Sequence, residues 1–374
     1  MNRNVLAVKT VLLAMVVLGV YFPTLHAGFI WDDDVFFTRN PLMARPDALK
    51  KFWMSGEAPD YFPLVSTTLW AQRQLWGLDP FGYHLVNICF HALNSILFWR
   101  VLSLLAVPGA WTAAMLFALH PIQVESVAWV TQIKNVQSTF FYLLTVLFYL
   151  RWDSCDLGRR NYFLSLFAFL LALLSKTSVV MLPVVLVLYH GWKGDRSAKT
   201  LLRNTSPFFV LALILALVTI WFQYQSAGAK GPDFALGFAE RFVNAGHVVW
   251  FYLLKLLLPV NLTFVYPRWA FDTGDWVSYL PHAGLVALAY LLFVKRWSWG
   301  RSALFGLGYF VVTLFPVMGF FNIYFMRYSF VADHWQYVAG QGIIPLAVGG
   351  LFTACKGWSE KSRFIQMVFS GAAV

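Results

Sequence analysis

Three consecutive carboxylates, Asp32, Asp33 and Asp34, follow a hydrophobic run long enough to cross a bilayer. Adjacent like charges repel, so such a cluster persists where water, a cation or a reacting group takes up the charge. A carboxylate in that place suits a general base, and Asp32 with Asp34 leaves room for a divalent cation; the chain calls for no other cofactor. Downstream, His120, Glu125 and Lys134 lie in a polar interruption at the end of an apolar run, where Glu125 and Lys134 make the natural ion pair. His120 and Glu125 point apart on a helix and match no metalloprotease spacing.

More cations recur at the ends of apolar runs. Lys176 sits between two of them, where it either snorkels to the interface or faces a phosphate in a partly desolvated site. Arg268, in Tyr266-Pro-Arg-Trp269, and Arg327-Tyr328, shortly before Asp333-His334, set guanidiniums among aromatics. That composition suits a lipid-borne phosphate and equally an aromatic belt at headgroup level. His84, Asn87, His91 and Asn94 recur at spacings of three and four and share one helical face. Hydrogen bonding between helices accounts for such a face, and His84, at the mouth of the span, is the member placed to reach a substrate.

The elements that must position these residues are membrane helices. Of 374 residues 59% are apolar and 12% charged, too few charges to clothe a soluble globule, so the chain reads as an all-α polytopic membrane protein. The balance of 28 Lys+Arg against 17 Asp+Glu gives +11. The basic residues fill short gaps between apolar runs and form no stripe with interleaved aromatics, which excludes nucleic acid as a partner. Cys89, Cys155 and Cys355 have neither disulfide nor zinc spacing.

At about 20 residues per span, helices are expected over residues 5–25, 85–105, 109–128, 135–152, 161–175, 177–192, 207–225, 281–295, 301–320 and 336–355, the first uncleaved with its amino terminus inside. Arg151, Arg159 and Arg160, then Lys193, Arg196, Lys199 and Arg203, then Lys295, Arg296 and Arg301, and finally Lys356, Lys361 and Arg363 mark the inside. Residues 26–84, the first external loop, and 226–280 then lie outside, together with every candidate site residue. The segment 239–258 breaks the alternation and reads as an interfacial or re-entrant helix. The apolar run Phe364–Val374 stops after half a span, as expected of a single membrane domain, residues 1–374, that continues further.

Carboxylates and cations on one outer face of a lipid-accessible bundle provide what transfer of a sugar from a lipid-linked phosphate requires. A carboxylate takes the proton of the attacking hydroxyl while cations hold the leaving phosphate. A transporter or flippase of lipid-linked intermediates fits the composition nearly as well, and a non-catalytic assembly partner is a third reading. Polar residues at the outer ends of the spans, with no internal repeat, favour the enzyme.

Several segments, in order, carry a resemblance: Trp31-Asp-Asp-Asp with Asn40 and Pro41, Tyr83 to Asn94, His120 to Trp129, Leu174 to Pro183, Trp250 to Trp269, and Arg327 to Tyr337. Together they resemble bacterial relatives of the transmembrane, tetratricopeptide-repeat-containing protein O-mannosyltransferases, in the GT-C class of glycosyltransferases. The resemblance implies a GT-C-like bundle of about ten spans in a bacterial inner membrane, its active site on the periplasmic face. It also implies a polyprenyl-phosphate sugar donor and a protein hydroxyl as acceptor. An aspartate of the first external loop would be the base, a role carried to Asp33 with Asp32 or Asp34 beside it. Lys176, Arg268 and Arg327, with Tyr328, would hold the phosphate, Glu125 and Lys134 with His120 would shape the acceptor side, and His84 and His334 would orient sugar or motif. Ile133 stands where the family pattern has arginine, and the family continues into a last span and repeats that would hold a protein acceptor.

Overall fold

The computed structural model describes the backbone of residues 3–155, 158–194 and 196–371, and side chains as far as Cys355 apart from Cys155. The side chains of Lys356, Lys361 and Arg363, and the end of the Phe364–Val374 run, lie outside the described residues. The described chain is helical, with no strand. Its helices are α1 (Arg3–Tyr21), α2 (Ala48–Met54), α3 (Pro63–Trp76), α4 (Pro80–Leu104), α5 (Ala110–Leu119), α6 (Val124–Ala128) and α7 (Ile133–Cys155), followed by α8 (Gly158–Ser175), α9 (Leu182–Lys193), α10 (Ala198–Gln225), α11 (Phe238–Leu257), α12 (Leu280–Val294), α13 (Gly300–Leu314) and α14 (Gly340–Gly371).

A helix stands on each stretch expected to span. The segments Arg3–His26, Pro80–Leu104, Ala198–Gln225, Trp276–Val294 and Gly300–Val317 are long and apolar enough to cross a bilayer, and Ala110–Leu119, Thr177–Lys193 and Gly340–Cys355 are apolar but shorter. On length and composition this is an all-α polytopic integral membrane protein.

Local sequence explains the breaks that build the site. The expected span over 109–128 is instead two helices, because Pro121 disfavours helical backbone at His120 and ends α5 there. His120 takes up the break by accepting from the Ile122 amide at 3.4 Å through Nδ1, and α6 restarts at Val124 with Glu125 in its first turn. Between α8 and α9 the chain is extended at Lys176, then forms a single-turn helix over Thr177–Met181. α4 begins with Asp79 capping the Phe81 amide at 3.0 Å and Pro80 in its first turn, where no amide is needed.

α11 buries Val243, Asn244, Val248, Val249 and Tyr252 on one face and leaves Leu254 and Leu257 exposed. Its polar residues are engaged rather than solvated. Arg241 donates to the carbonyls of Leu236, Phe234 and Gly319 and to Asn322 Oδ1, at 2.6–3.1 Å, which ties the segment before α11 to the loop after α13. Asn244 donates to Met318 O at 3.0 Å.

Candidate active site

The structure separates the three consecutive aspartates. Asp33 is fully buried, and each of its carboxylate oxygens accepts a backbone N–H: Ile30 at 2.8 Å and Thr131 at 2.9 Å. It therefore clips the first loop to the α6–α7 connection. Burial pushes its pKa up, against the opposing pull of those two amides. Asp34 accepts from Thr38 Oγ1 at 2.5 Å and lies 3.3 Å from the exposed Arg39. Asp32 is the one turned toward the cations, its side chain 30% exposed and Oδ2 3.9 Å from Lys134 Nζ. The residue before it, Trp31, has φ +45, a left-handed conformation that a bulky residue adopts only where the surroundings hold it.

Lys134 is nearly buried, with Nζ 4.7 Å from the Phe36 ring centroid. Its partner is Asp32, not the expected Glu125. Glu125 instead grips His334 twice, accepting from the backbone N–H at 2.9 Å and from Nδ1 at 2.7 Å. Burial pulls the His334 imidazole below its ordinary pKa although Glu125 opposes this. The next acid, Asp333, accepts from Tyr266 OH at 3.0 and 3.1 Å, and burial, with Glu125 nearby, raises its pKa to about 7.

Asn135 joins these parts. Its Nδ2 lies 2.8 Å from Gln132 Oε1, 3.3 Å from Ser126 Oγ and 3.1 Å from His334 O, and its Oδ1 accepts from Lys176 Nζ. Burial, reinforced by Lys134, lowers the Lys176 pKa from 10.5 to about 7. Asp60, in the α2–α3 loop, joins the same group of charges. It accepts from Gln223 Nε2 of α10 at 2.5 Å, and burial raises its pKa to about 6 while Lys134 and Lys176 oppose. The charged centre thus contains Asp32, Asp60, Lys134 and Lys176, from four parts of the chain. Asp60 had no signal in the sequence, since a lone Asp-Tyr-Phe-Pro in an acidic loop looks like any surface carboxylate.

An aromatic wall flanks this centre. Trp129 and His334 pack at 5.7 Å, Trp129 and Phe264 at 5.0 Å, and Trp31 lies 5.3 Å from Phe264 and 5.5 Å from Tyr328. Trp129 is buried, whereas Trp31 and Tyr328 are exposed. Beyond Tyr328, Arg327 lies 3.4 Å from Asp233 Oδ2 and donates to Tyr324 OH at 3.0 Å. Arg268 donates to Asp233 O and stacks 4.9 Å over Phe330. The two arginines therefore meet at Asp233, on the rim rather than beside Lys176.

Two expected substrate contacts are turned into the framework. His84 bonds Ala27 O through Nε2 at 3.1 Å, and His120 bonds Leu256 O through Nε2 at 2.9 Å. The rest of the α4 polar face links helices. Asn87 donates to Trp129 O and Val130 O, Asn94 to Val136 O, and both His91 and Asn94 bond Tyr337 OH. Among the described residues no three His, Cys, Asp or Glu side chains come together as a metal cage, and Asp32 and Asp34 are engaged separately.

No family model matches the chain, and no solved structure matches it. Curated relatives do. The protein O-mannosyl-transferase tmtc2 of Xenopus laevis is 28% identical over 246 residues, 58% of this chain and 29% of that protein. TMTC2 of Mus musculus is 33% identical over 147 residues, 36% of this chain and 18% of the relative. TMTC3 of Homo sapiens is 28% identical over 242 residues, 59% of this chain and 26% of the relative. The chain thus spans less than a third of the length of these three proteins. It is a relative of the TMTC protein O-mannosyl-transferases.

Proposed function

We propose that the chain is a GT-C-type glycosyltransferase that moves a sugar from a polyprenyl-phosphate donor to a protein hydroxyl. Its membrane domain, residues 1–374, would lie in a bacterial inner membrane with α11 along the interface and the Asp32 centre on the periplasmic face. The observation that carries this reading is the Asp32 centre itself: a partly exposed carboxylate 3.9 Å from Lys134, which in turn acts on the buried Lys176, flanked by an aromatic wall. The names of the relatives support the sugar-transfer class.

In the step proposed, the acceptor oxygen attacks the anomeric carbon, the bond from that carbon to the phosphate oxygen breaks, and the acceptor proton passes to Asp32. The electron pair leaves with the polyprenyl phosphate, whose negative charge Lys134 and Lys176 hold, with Arg327 and Arg268 on the rim. An ammonium is worth more to a phosphate in this partly desolvated pocket than at an open surface. Asp33 and the Glu125–His334 pair position the loops that present these groups.

The experiment is transfer of radiolabel from a polyprenyl-phosphate sugar to protein by membranes carrying the wild type or Asp32→Asn. Transfer by the wild type and a loss of at least about a hundredfold in the variant are expected, the scale of a general base removed. An Asp32→Asn protein with full activity would remove Asp32 from the mechanism.

A further inference from the structure

A large apolar space in the described molecule lies away from the acidic centre. A cavity of ≈ 860 Å³ opens between α4, α7, α9, α13 and α14. It is lined by Leu102 late in α4 and Leu105 just after it, Leu150 late in α7 and Trp192 at the end of α9, whereas Lys134 lies in the first turn of α7 and Lys176 precedes α9. The two sites therefore occupy opposite ends of the bundle, and the transferase reading does not use this one.

A space of this size lies in the range that holds drug-sized ligands. Most of the lining is hydrocarbon, from Leu102, Leu143, Leu186, Phe305 and Leu346, and offers water few of the two to four polar partners it needs. At one wall Gln341, 5% exposed, leaves its Nε2 without a partner.

The mouth has a different character. Trp192 and Trp299 line it, with the Trp192 indole donating to Ser302 Oγ at 3.3 Å. Indoles with a bonded N–H and an apolar face suit the boundary between headgroups and acyl chains. Next to Ser302, the exposed guanidinium of Arg301 lies 3.5 Å from Gly191 O, and Lys295 and Arg296 occupy the turn before α13. These cations suit an anionic headgroup.

We infer that this cavity holds one acyl chain of an anionic membrane phospholipid, its hydrocarbon against α4, α7 and α13 and its phosphate against Arg301 and Ser302. The bilayer supplies that occupant at every moment, and it matches both the apolar lining and the basic mouth.

The test is native mass spectrometry of the purified full chain, stripped with detergent and titrated with phosphatidylglycerol, phosphatidylcholine or polyprenyl phosphate. One phosphatidylglycerol should be retained per chain. Ala303→Trp, which fills the mouth from α13, should cut that occupancy at least tenfold, and so should Val146→Phe on the facing α7. Arg301→Gln should bring phosphatidylglycerol down to the level of phosphatidylcholine. The inference is overturned if the wild type retains no phospholipid, if both filling variants retain it unchanged, or if polyprenyl phosphate displaces it, which would make the cavity the donor's own chain site. Aggregation of both filling variants also counts against it, since a space with room for an acyl chain accommodates an added ring.

Discussion

Replacing Asp33 and Asp32 one at a time separates the two jobs that neighbouring carboxylates do here. Asp33→Asn keeps the shape but turns one acceptor oxygen into an NH2 group, which must face the amide of either Ile30 or Thr131. One buried N–H then loses its acceptor and the other loses a charge-assisted bond, together about 3–5 kcal/mol. Relief from burying a charge, visible in the raised pKa of Asp33, offsets part of this, leaving a net loss of about 2–3 kcal/mol. Asp32→Asn breaks only the 3.9 Å contact with Lys134 at a partly exposed site, for at most about 1 kcal/mol. Thermal unfolding of the purified proteins in detergent, read beside label transfer, checks this. Asp33→Asn should unfold several degrees lower and lose transfer in proportion to its folded fraction; Asp32→Asn should unfold with the wild type and lose transfer almost completely. The reverse pattern, a stable inactive Asp33→Asn beside an active Asp32→Asn, would refute the division.

Two further outcomes follow from the same geometry. The unfolded chain binds more protons than the folded one at Lys176 between pH 7 and 10.5, because burial lowers its folded pKa to about 7, so this residue makes stability rise with pH across that window. A bound phosphate restores the charge, and donor affinity, measured by isothermal titration, should fall by up to about tenfold per pH unit above 7 with uptake of one proton; Lys176→Met should flatten the profile. Glu125→Gln should lower thermal stability by about 2 kcal/mol, because its amide faces the backbone N–H or Nδ1 of His334, and an unchanged melting curve would show that the pair does not hold the loop after α13.

How much of this was legible beforehand differs by level. The helices follow from apolar runs, a local signal, although the break at Pro121 within the expected 109–128 span was not read, and the helical face of His84, Asn87, His91 and Asn94 was visible from spacing alone. The partners were not. Glu125 and Lys134 looked like a pair because they lie nine positions apart, yet the break at His120 and the turn at Trp129 aim them at different segments, Glu125 at His334 and Lys134 at Asp32. Pairing across 209 positions, as between Glu125 and His334, is fixed only by the packed bundle. Three adjacent aspartates likewise carry no mark of which one turns inward; the Thr131 amide decides that from 98 residues away. Asp60 and Asp233 were passed over because single acids in polar loops are commonplace, and only their neighbours distinguish them.

The most direct measurement is the fate of a polyprenyl-phosphate sugar, labelled in the sugar, in sealed proteoliposomes containing the full chain and total membrane protein as acceptor. The account predicts that label becomes covalently attached to protein, that free polyprenyl phosphate is released in equal amount, and that Asp32→Asn abolishes both. Donor that crosses the bilayer intact, with no label on protein and no dependence on Asp32, would contradict the account and establish a translocator instead.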